Sequence, residues 1–408
     1  MSKIRVAHFS TSDTGGAAIA AKRLTALLKS GGIEAELFTR SNLGPFESIK
    51  LKKYVQLFVG KFVTKFQEVF SVEKYGTLTP ISISSLSIQR ILKSDYDILH
   101  IHNWYNLFSE SDLARLSEHF PLVLTLHDER ILTGGCHLTL GCTNFLNNCN
   151  KCPGSRIPGA SLSRFSRFLE KIDRGSHRIT LICPSHWMAS QAKISRYIAH
   201  AREVSVIPNV IDMPVEFKSS FFNKKDSDVV RLLFVAANIN THVKGFSFLL
   251  TTLGKCVSEF RTHTGLGINL AVVGAPGNSP VVEGDIVVDY LGVKDSEQIL
   301  RIMKDFDFLV VSSFSENMPN VISEAQLVGL PVIASNVAGI PELVQESDSG
   351  FLFSLEQQSL IDAIIRAVEF EGLPEMSSKA RQLALSRLNG AKIFDQHSKV
   401  YSRSLGLL

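Results

Sequence analysis

The sequence lacks any run of apolar residues long enough to cross a bilayer. A membrane-spanning helix needs roughly 18 or more consecutive apolar residues, and no stretch of the 408 residues has that length. The N-terminal segment MSKIRVAHFS also lacks the apolar region and the cleavage site of a secretory signal peptide. The composition, 45% hydrophobic and 20% charged, is that of an ordinary soluble protein with material for two cores. We therefore expect a cytoplasmic protein.

The net charge of +4 is divided unevenly along the chain. Residues 1–208 carry 26 Lys and Arg against 16 Asp and Glu, whereas the remaining residues carry 17 against 23. The basic half suits an anionic membrane surface or a phosphate-bearing substrate. It lacks any nucleic-acid recognition motif, so we expect no nucleic-acid partner.

Internal repeats and low-complexity tracts are also lacking. Instead, strand-like runs alternate with helix-length segments throughout, which predicts a parallel α/β architecture with a separate series in each half. The predicted strands are residues 4–9, 36–39, 97–102, 122–126, 180–183 and 204–207 in the first half, and 232–236, 268–273, 285–290, 308–311, 332–334 and 351–353 in the second.

The domain boundary is predicted from a change in pattern. Residues 208–228 break both periodicities and contain two prolines, so we interpret them as a linker. An N-terminal domain then covers residues 1–208 and a C-terminal domain covers residues 229–392. The last residues, about 393–408, have the apolar spacing of one amphipathic helix, which we expect to pack back on the N-terminal domain.

The most informative pattern lies in residues 312–344, where a buried strand is predicted to end and a helix to begin near Pro319. Glu316 lies in the intervening loop, and Glu324 lies about one turn inside the helix. Backbone N–H groups at such a helix start bind phosphate, and ligands of open α/β sheets lie at this edge. Taken alone, the two glutamates are also explained as a solvated loop residue and a residue that complements the helix dipole.

This segment closely resembles the signature of the retaining family 4 glycosyltransferases of GT-B fold. The family has two glutamates separated by seven residues, then G-x-P-V-I-A and G-I-P-E, and this chain supplies Glu316, Glu324, Gly329, Pro331, Gly339 and Glu342 in that order and spacing. The resemblance implies two Rossmann-like domains that face each other across a cleft. It also implies that Glu316 approaches the donor sugar, that Glu324 binds the ribose hydroxyls, and that the diphosphate is lined by Asn317, Met318, Pro319 and Asn320.

A second part of the donor site is expected around Lys244. The sequence VKGFSFLL resembles the family's E-K-G-x-x-x-L, which implies that Lys244 contacts the donor phosphate. The alternative is a surface lysine at the start of a helix. The family often has an arginine five residues earlier, where this chain has Ile239, and the candidates to assist the departing diphosphate instead are Asn238, Asn240 and His242.

In the first half, Gly15 and Gly16 follow the first strand and open a predicted helix. The loop is not G-x-G-x-x-G, which disfavours a nicotinamide dehydrogenase. A Gly-Gly pair is often only a turn. The family carries the same pair here, which implies that Gly15 and Gly16 face the donor phosphates.

His127 is the predicted catalytic residue of the N-terminal half. It ends a strand beside Asp128, while His100 and His102 lie on one face of the preceding strand. A histidine beside a carboxylate can orient a substrate or relay a proton near neutral pH. The alternative is a purely structural histidine, but the resembled family has a histidine here, beside the donor sugar.

Four cysteines follow closely, within 17 residues: Cys136, Cys142, Cys149 and Cys152. Four thiols at this spacing suit tetrahedral zinc, and a cytoplasmic location argues against two disulfides. Disulfide or redox use and free structural thiols remain alternatives. A similar cysteine-rich insert occurs in the family subgroup that builds exopolysaccharides such as colanic acid.

Residues 51–70 are predicted to form an aromatic and basic helix. Aromatic residues recur every four positions at Tyr54, Phe58, Phe62, Phe66 and Phe70. Lysines gather away from the centre of this stripe, at Lys50, Lys53, Lys61 and Lys65. Helices of this kind lie in membrane interfaces, although an aromatic stripe is as often part of a core.

Together these features predict a retaining glycosyltransferase that moves a sugar from a nucleoside-diphosphate sugar to a saccharide acceptor, lipid-linked, in the synthesis of a surface polysaccharide such as an exopolysaccharide or O antigen. The transfer needs no metal by family resemblance. The protein is expected in the cytoplasm, peripheral on the inner face of the cytoplasmic membrane. The alternatives are a non-catalytic sugar-nucleotide-binding partner and a sugar-nucleotide epimerase or hydrolase on the same fold.

Overall fold

The computed structural model describes most of the chain, in two compact units. Described are residues 4–47, 50–72, 78–79, 82, 84–133, 135–147, 149, 151–157, 178–198, 201–213, 217, 220–275, 286–346 and 348–408. One unit comprises Met1–Val210 with Asn389–Leu408, and the other comprises Ile211–Leu388.

The first unit is built on a six-stranded parallel sheet of order β2-β1-β3-β4-β5-β6. Its four central strands are buried almost throughout because helices cover both faces of a parallel sheet, whereas the edge strands β2 and β6 are partly exposed. The bounds are β1 Arg5–Ser10, β2 Glu34–Thr39, β3 Ile98–Ile101, β4 Leu122–Thr125, β5 Ile179–Cys183 and β6 Glu203–Val206.

The two faces of this sheet carry different cores. Alternate residues such as Phe9, Leu99 and Leu124 contribute to a large apolar cluster on one face, while Val6 and Ile98 point to the other. The helices that follow these strands are α1 Gly16–Ser30, α2 Lys50–Phe70, α3 Ile88–Leu92, α4 Glu110–Ser117 and α5 His186–Ile194.

The second unit repeats this architecture with a parallel sheet of order β12-β11-β10-β7-β8-β9. Its strands are β7 Val229–Asn238, β8 Gly267–Ala275, β9 Val287–Gly292, β10 Phe308–Val311, β11 Val332–Ser335 and β12 Phe351–Phe353. Its helices are α6 Phe246–Thr264, α7 Ser296–Ile302, α8 Asn320–Val328, α9 Gln357–Glu369 and α10 Leu373–Arg387.

The last helix, α11 Gly390–Ser404, returns to the first unit. Its Tyr401 is fully buried, and the Tyr401 hydroxyl lies 2.7 Å from Nδ1 of His100 on β3. Arg403 pairs with Glu203 on β6, with Nε 2.9 Å from the carboxylate. These contacts explain why the C-terminal helix belongs to the N-terminal sheet.

Each of the twelve predicted strands is present, and its ends lie within three residues of the predicted ones. The predicted helix starts at Gly16 and near Pro319 are also confirmed, as is the helix predicted over residues 51–70, which the structure shows as Lys50–Phe70. The prediction of two parallel α/β domains is therefore confirmed, because apolar runs separated by helix-length segments admit few other arrangements.

Candidate active-site residues

The loop between β10 and α8 is held at the carboxyl ends of the strands by side-chain hydrogen bonds. Ser312 Oγ donates to the carbonyl of Gly245 at 3.0 Å, and Ser335 Oγ donates to the carbonyl of Ser313 at 2.6 Å. Ser312 and Ser313 are both buried. The loop is therefore fixed between its two neighbouring strand ends before any ligand binds.

Lys244 and Glu316 form an ion pair at this edge. Lys244 Nζ contacts Glu316 Oε1, which also accepts a hydrogen bond from Ser313 Oγ at 3.2 Å. The Lys244 side chain is 36% exposed and that of Glu316 is 15% exposed. A partly accessible ammonium and a carboxylate thus lie together at the edge where α/β sheets bind ligands.

Gly245 allows this close approach. Its φ of +68° is left-handed, and a Cβ there would lie 1.9 Å from the carbonyl oxygen of Ser312. No other residue type fits. The glycine after Lys244 is therefore required to bring the turn before α6 against the β10 loop.

The predicted diphosphate and ribose residues surround the start of α8. Pro319 is the N-cap, Asn317 and Glu324 are buried, and Asn320 is half-buried. Met318 packs against the apolar core beneath the sheet. Its side chain is therefore structural, and only its backbone remains for a ligand at the helix N-terminus.

Ile239 stands where the family often has an arginine, and its apolar side chain cannot contact a phosphate through a charge or a hydrogen bond. Ile239 is 2% exposed and belongs to the apolar core. Asn240 and His242 are exposed nearby, and the His242 ring stacks on Phe314 with centroids 4.8 Å apart. Asn240 and His242 line a groove of about 510 Å³ beside the Lys244 turn.

Gly15 and Gly16 lie at the start of α1, as predicted. Gly15 is the N-cap with a left-handed φ of +87°. A Cβ built on either glycine meets no atom within 4 Å. No packing requirement explains Gly16, so the space in front of this helix start is open to a ligand.

His127 follows β4, and its hydrogen-bond partner is another histidine. Its Nε2 lies 3.3 Å from Nδ1 of His102, whereas the neighbouring Asp128 pairs with Arg130. Burial lowers the pKa of His127 to about 4, although the charge of Asp128 acts in the opposite direction. Asp128 pairs with Arg130, two residues along the same loop, because a guanidinium attracts a carboxylate more strongly than a neutral ring does.

Arg130 is a residue that the sequence analysis missed. Its Nε donates to Thr79 Oγ1 at 3.0 Å, and its guanidinium lies 5.0 Å from the Tyr105 ring centroid. Burial by itself would raise the pKa of Asp128, but Arg130 outweighs it and leaves the pKa below its usual value. The H-D-E-R stretch therefore holds an ion pair behind His127.

Beneath His127 lies a cluster of fully buried histidines. His8 on β1 is paired in register with His100 on β3, and His102 follows on the same face. His8 Nδ1 lies 3.0 Å from His102 Nε2. The sequence places His100 and His102 on one face, but His8 joins them only through strand pairing that the sequence does not display.

The four cysteines lie in one loop region and form no disulfide bond with one another. Burial raises the pKa of Cys136 well above its usual value, and the other three thiols raise it further. Within the described residues, only His8, His100 and His102 form a trio whose ligand atoms all lie within 4.8 Å of one another. No three of the four thiols therefore lie that close to one another.

Helix α2 exposes its aromatic face. Phe58 is 76% exposed, Phe62 68% and Phe66 54%, while Lys61 and Lys65 are exposed beside them. The alternative that these three phenylalanines belong to a core is wrong. The side chains of Tyr54, Lys50 and Lys53 lie outside the described residues.

None of the helices that the structure describes is both long enough and apolar enough to span a membrane.

Two family descriptions match the chain. "Glycosyltransferase Family 4" matches residues 14–213, and "Glycosyl transferases group 1" matches residues 230–369. These matches follow the two units closely. The chain belongs to the family 4 glycosyltransferases, and its two-domain α/β fold is GT-B.

Two relatives and one solved structure illustrate what this glycosyltransferase is similar to. It is 24% identical to a protein named as the colanic acid biosynthesis glycosyl transferase WcaC of Escherichia coli, over 74% of this chain and 76% of the relative. It is 23% identical to N-acetyl-alpha-D-glucosaminyl L-malate synthase of Bacillus anthracis, over 98% and 97%. HepE of Anabaena, solved with UDP-glucose, shares the fold with a TM-score of 0.62 and 17% identity, over 98% of this chain and 100% of that one.

Proposed function

We propose that this glycosyltransferase moves a sugar, with retention of configuration, from a nucleoside-diphosphate sugar to a hydroxyl of a lipid-linked saccharide in surface polysaccharide synthesis. The observation that carries the proposal is the Lys244–Glu316 pair at the carboxyl edge of the second sheet. The relative named for colanic acid synthesis supports a polysaccharide product. HepE, with UDP-glucose bound, supports a sugar-nucleotide donor.

Lys244 is suited to stabilise the departing diphosphate. Its ammonium is a compact charge at the end of a partly exposed side chain. Stabilisation of charge that develops in the transition state is the largest contribution in many enzymes. The N-terminus of α8 adds backbone N–H donors and the positive end of its dipole.

Glu316 is suited to act on the sugar. When the diphosphate engages Lys244, the carboxylate of Glu316 loses its counter-ion and retains only the Ser313 hydroxyl. An anionic carboxylate beside the sugar then stabilises positive charge at the anomeric carbon. The carboxylate and the ammonium thus serve opposite ends of the bond that breaks.

His127 contributes as a neutral group. With a pKa of about 4 it carries no charge at pH 7. It therefore offers a hydrogen bond to a sugar or acceptor hydroxyl rather than an imidazolium charge. Gly15 and Gly16, with open space in front of them, would let the donor phosphates approach the start of α1.

We propose that the acceptor is lipid-linked because of the exposed surface of α2. Its exposed phenylalanines and lysines form the kind of surface that binds an anionic bilayer, which would keep the enzyme at the inner face of the cytoplasmic membrane. A second candidate is transfer to a small hydroxy acid, because the Bacillus anthracis relative named N-acetyl-alpha-D-glucosaminyl L-malate synthase matches nearly the whole chain.

Structural zinc is proposed for the cysteine loop. Three residues other than glycine have left-handed backbone there, with φ of +50° at Leu140, +51° at Cys149 and +53° at Lys151. Each such residue costs roughly 1–2 kcal/mol, and a bound cation would offset this cost. Burial, and after it the neighbouring thiols, raise the pKa of Cys136, and a zinc ion would oppose both effects by favouring the thiolate.

The test is transfer in vitro from UDP-, GDP- and ADP-sugars to a lipid-linked saccharide, with malate as a parallel acceptor. We expect one nucleotide sugar to yield a glycosylated lipid-linked product whose anomeric configuration, measured by NMR, matches the donor. Inversion would contradict the mechanism. Free sugar or an epimer as the sole product would establish the hydrolase or epimerase, and nucleotide binding without any product would establish a binding protein.

A further inference from the structure

Three buried imidazoles and the half-buried ring of His127 stack on one face of the first sheet. The ring centroids of His100 and His102 lie 4.4 Å apart, those of His8 and His102 5.3 Å, and those of His102 and His127 5.5 Å. Burying polar rings is costly unless their nitrogens have partners. The arrangement of those partners determines what the cluster can do.

A metal does not fit this cluster well. Both ring nitrogens of His100 already have partners at 2.7 Å, the Tyr401 hydroxyl and the Thr125 hydroxyl. Nδ1 of His8 and Nε2 of His102 face each other at 3.0 Å, which is the length of a direct hydrogen bond. Most of these nitrogens therefore already have a hydrogen-bond partner and are not free to ligate a metal; His8 Nε2, at the far end of the cluster, is the exception, being buried without a partner.

His8, His102 and His127 form a continuous chain of contacts. His8 Nδ1 meets His102 Nε2 at 3.0 Å, and His102 Nδ1 meets His127 Nε2 at 3.3 Å. A neutral imidazole donates from one nitrogen and accepts on the other. If His8 carries its proton on Nδ1, then His102 and His127 must also carry theirs on Nδ1. If His8 carries it on Nε2, all three carry it on Nε2.

We infer that His8 and His102 are positioning residues. Their hydrogen bonds hold the catalytic His127 in the same neutral tautomer as their own rings. This inference rests on the proposed role of His127 in sugar transfer. Because its Nε2 is engaged by His102, Nδ1 is the ring nitrogen of His127 that remains for a substrate hydroxyl. The chain decides whether that nitrogen donates or accepts, and a change would require three protons to move together.

The surroundings keep the chain neutral. Burial lowers the pKa of His8 to about 3 and that of His102 well below its usual value. The groups that face the chain are the other histidines, including His397 on α11, with Lys29 acting on His8 and Asp128 on His127. Of these, only Asp128 favours a charged ring, and its neighbour Arg130 neutralises it.

The direct test is nitrogen NMR of the full-length protein labelled with ¹⁵N-histidine at pH 7. Long-range ¹H–¹⁵N correlations distinguish the two neutral tautomers and the imidazolium, and single substitutions assign the signals. We expect His8, His102 and His127 all to be neutral with the proton on the same ring nitrogen. A mixture of tautomers among the three, or a charged ring, would overturn the inference whether or not the protein transfers sugar.

The functional test uses His8→Leu, which removes the far end of the chain without touching His127. We expect the His127 signals to change and kcat to fall by about tenfold or more, because a wrongly held catalytic tautomer lowers turnover strongly, while KM for the donor stays near wild type. The matched control is His397→Leu, an equally buried ring that bonds to the Ile393 carbonyl at 2.9 Å outside the chain. His397→Leu should leave the His127 signals and kcat unchanged.

Two outcomes separate this inference from the proposed function. Wild-type protein that transfers no sugar, but has all three rings in one tautomer, would contradict the proposed function. The inferred coupling of the three histidines would stand. If wild-type protein is active and the His8→Leu variant keeps full kcat and unchanged His127 signals, the inferred coupling of His8, His102 and His127 would be contradicted. The proposed function would stand. A circular dichroism melt confirms that the compared variants are folded.

Discussion

At the residue scale, Glu316 and Glu324 differ in their surroundings, and this predicts different kinetic effects. Glu316 lies in the loop and pairs with Lys244, whereas Glu324 is buried on α8. If Glu324 holds the ribose, that contact exists before and during the reaction, so Glu324→Gln should weaken donor binding. Loss of a hydrogen bond to a charged group costs roughly 1.5–3 kcal/mol, or about 10- to 150-fold in affinity. Calorimetric titration with the donor nucleotide measures it.

Glu316→Gln should instead lower turnover with little change in nucleotide affinity, because its interaction with the sugar strengthens only as charge develops. Transfer assays beside the titration measure the two effects separately. The control is Glu297→Gln, an exposed glutamate in the first turn of α7 that forms a surface pair with Arg301, and it should transfer sugar and bind nucleotide as wild type does. Near-wild-type behaviour of both site variants in an active enzyme would remove the site assignment.

At the scale of elements, the exposed face of α2 predicts salt-sensitive binding to anionic vesicles. Phe58, Phe62 and Phe66 supply apolar area, and Lys61 and Lys65 supply charge. Each lysine near an anionic surface contributes up to about 1 kcal/mol. The double variant Lys61→Glu with Lys65→Glu should therefore lose vesicle sedimentation while keeping its melting temperature.

The matched control for α2 is the double variant Lys225→Glu with Lys255→Glu. Both lysines are exposed in the second unit, so the control makes the same change in net charge. It should sediment with vesicles like wild type. Equal loss in both double variants would show that only net charge matters. Wild-type protein that ignores anionic vesicles at low salt would contradict the membrane role of α2.

The cysteine loop is the second element with a prediction of its own. Protein purified without added metal should contain one zinc per chain, held by sulfurs at about 2.3 Å. Elemental analysis measures the content and X-ray absorption the distance. Cys142→Ser should lose the metal, whereas Cys256→Ser, on α6 and outside the loop, should keep it. Less than about a tenth of an equivalent in wild type would disprove the zinc proposal.

At the scale of the whole molecule, the buried histidines predict loss of stability in mild acid. Burial lowers the pKa of His8 to about 3 and of His397 to about 4, and it lowers those of His100 and His102 well below the usual value. In the unfolded chain these rings titrate near pH 6.5. Below about 6.5 the unfolded chain therefore binds protons that the folded chain does not, and the free energy of unfolding falls as the pH falls.

Each fully buried ring contributes up to about 1.4 kcal/mol per pH unit between about 6.5 and 4. Denaturant unfolding at pH 7.5, 6.5 and 5.5 measures the slope for the first unit. His397→Leu should reduce the slope by up to one proton, whereas substitution of the exposed His119 should not change it. A stability that is constant from pH 7.5 to 5.5 would show that the rings are accessible to protons in the folded state.

Local sequence determined most of the architecture. Short apolar runs such as Phe308–Val311 are covered on both faces of a parallel sheet and are therefore visible as uninterrupted hydrophobic stretches. Pro319 indicated a helix start because its backbone restriction is intrinsic to the residue. The spacing of Glu316 and Glu324 pointed to the donor site for the same reason: loop and helix are consecutive in the chain.

Only tertiary structure decided which side chains act together. The Lys244–Glu316 pair joins residues 72 positions apart, and His8 meets His102 across 94 positions. Strand order determines both contacts, and the pattern within a single strand does not report which strand lies beside it. Asp128 shows the same limit at short range, since its choice of Arg130 over His127 depends on burial and charge that exist only after the chain has folded.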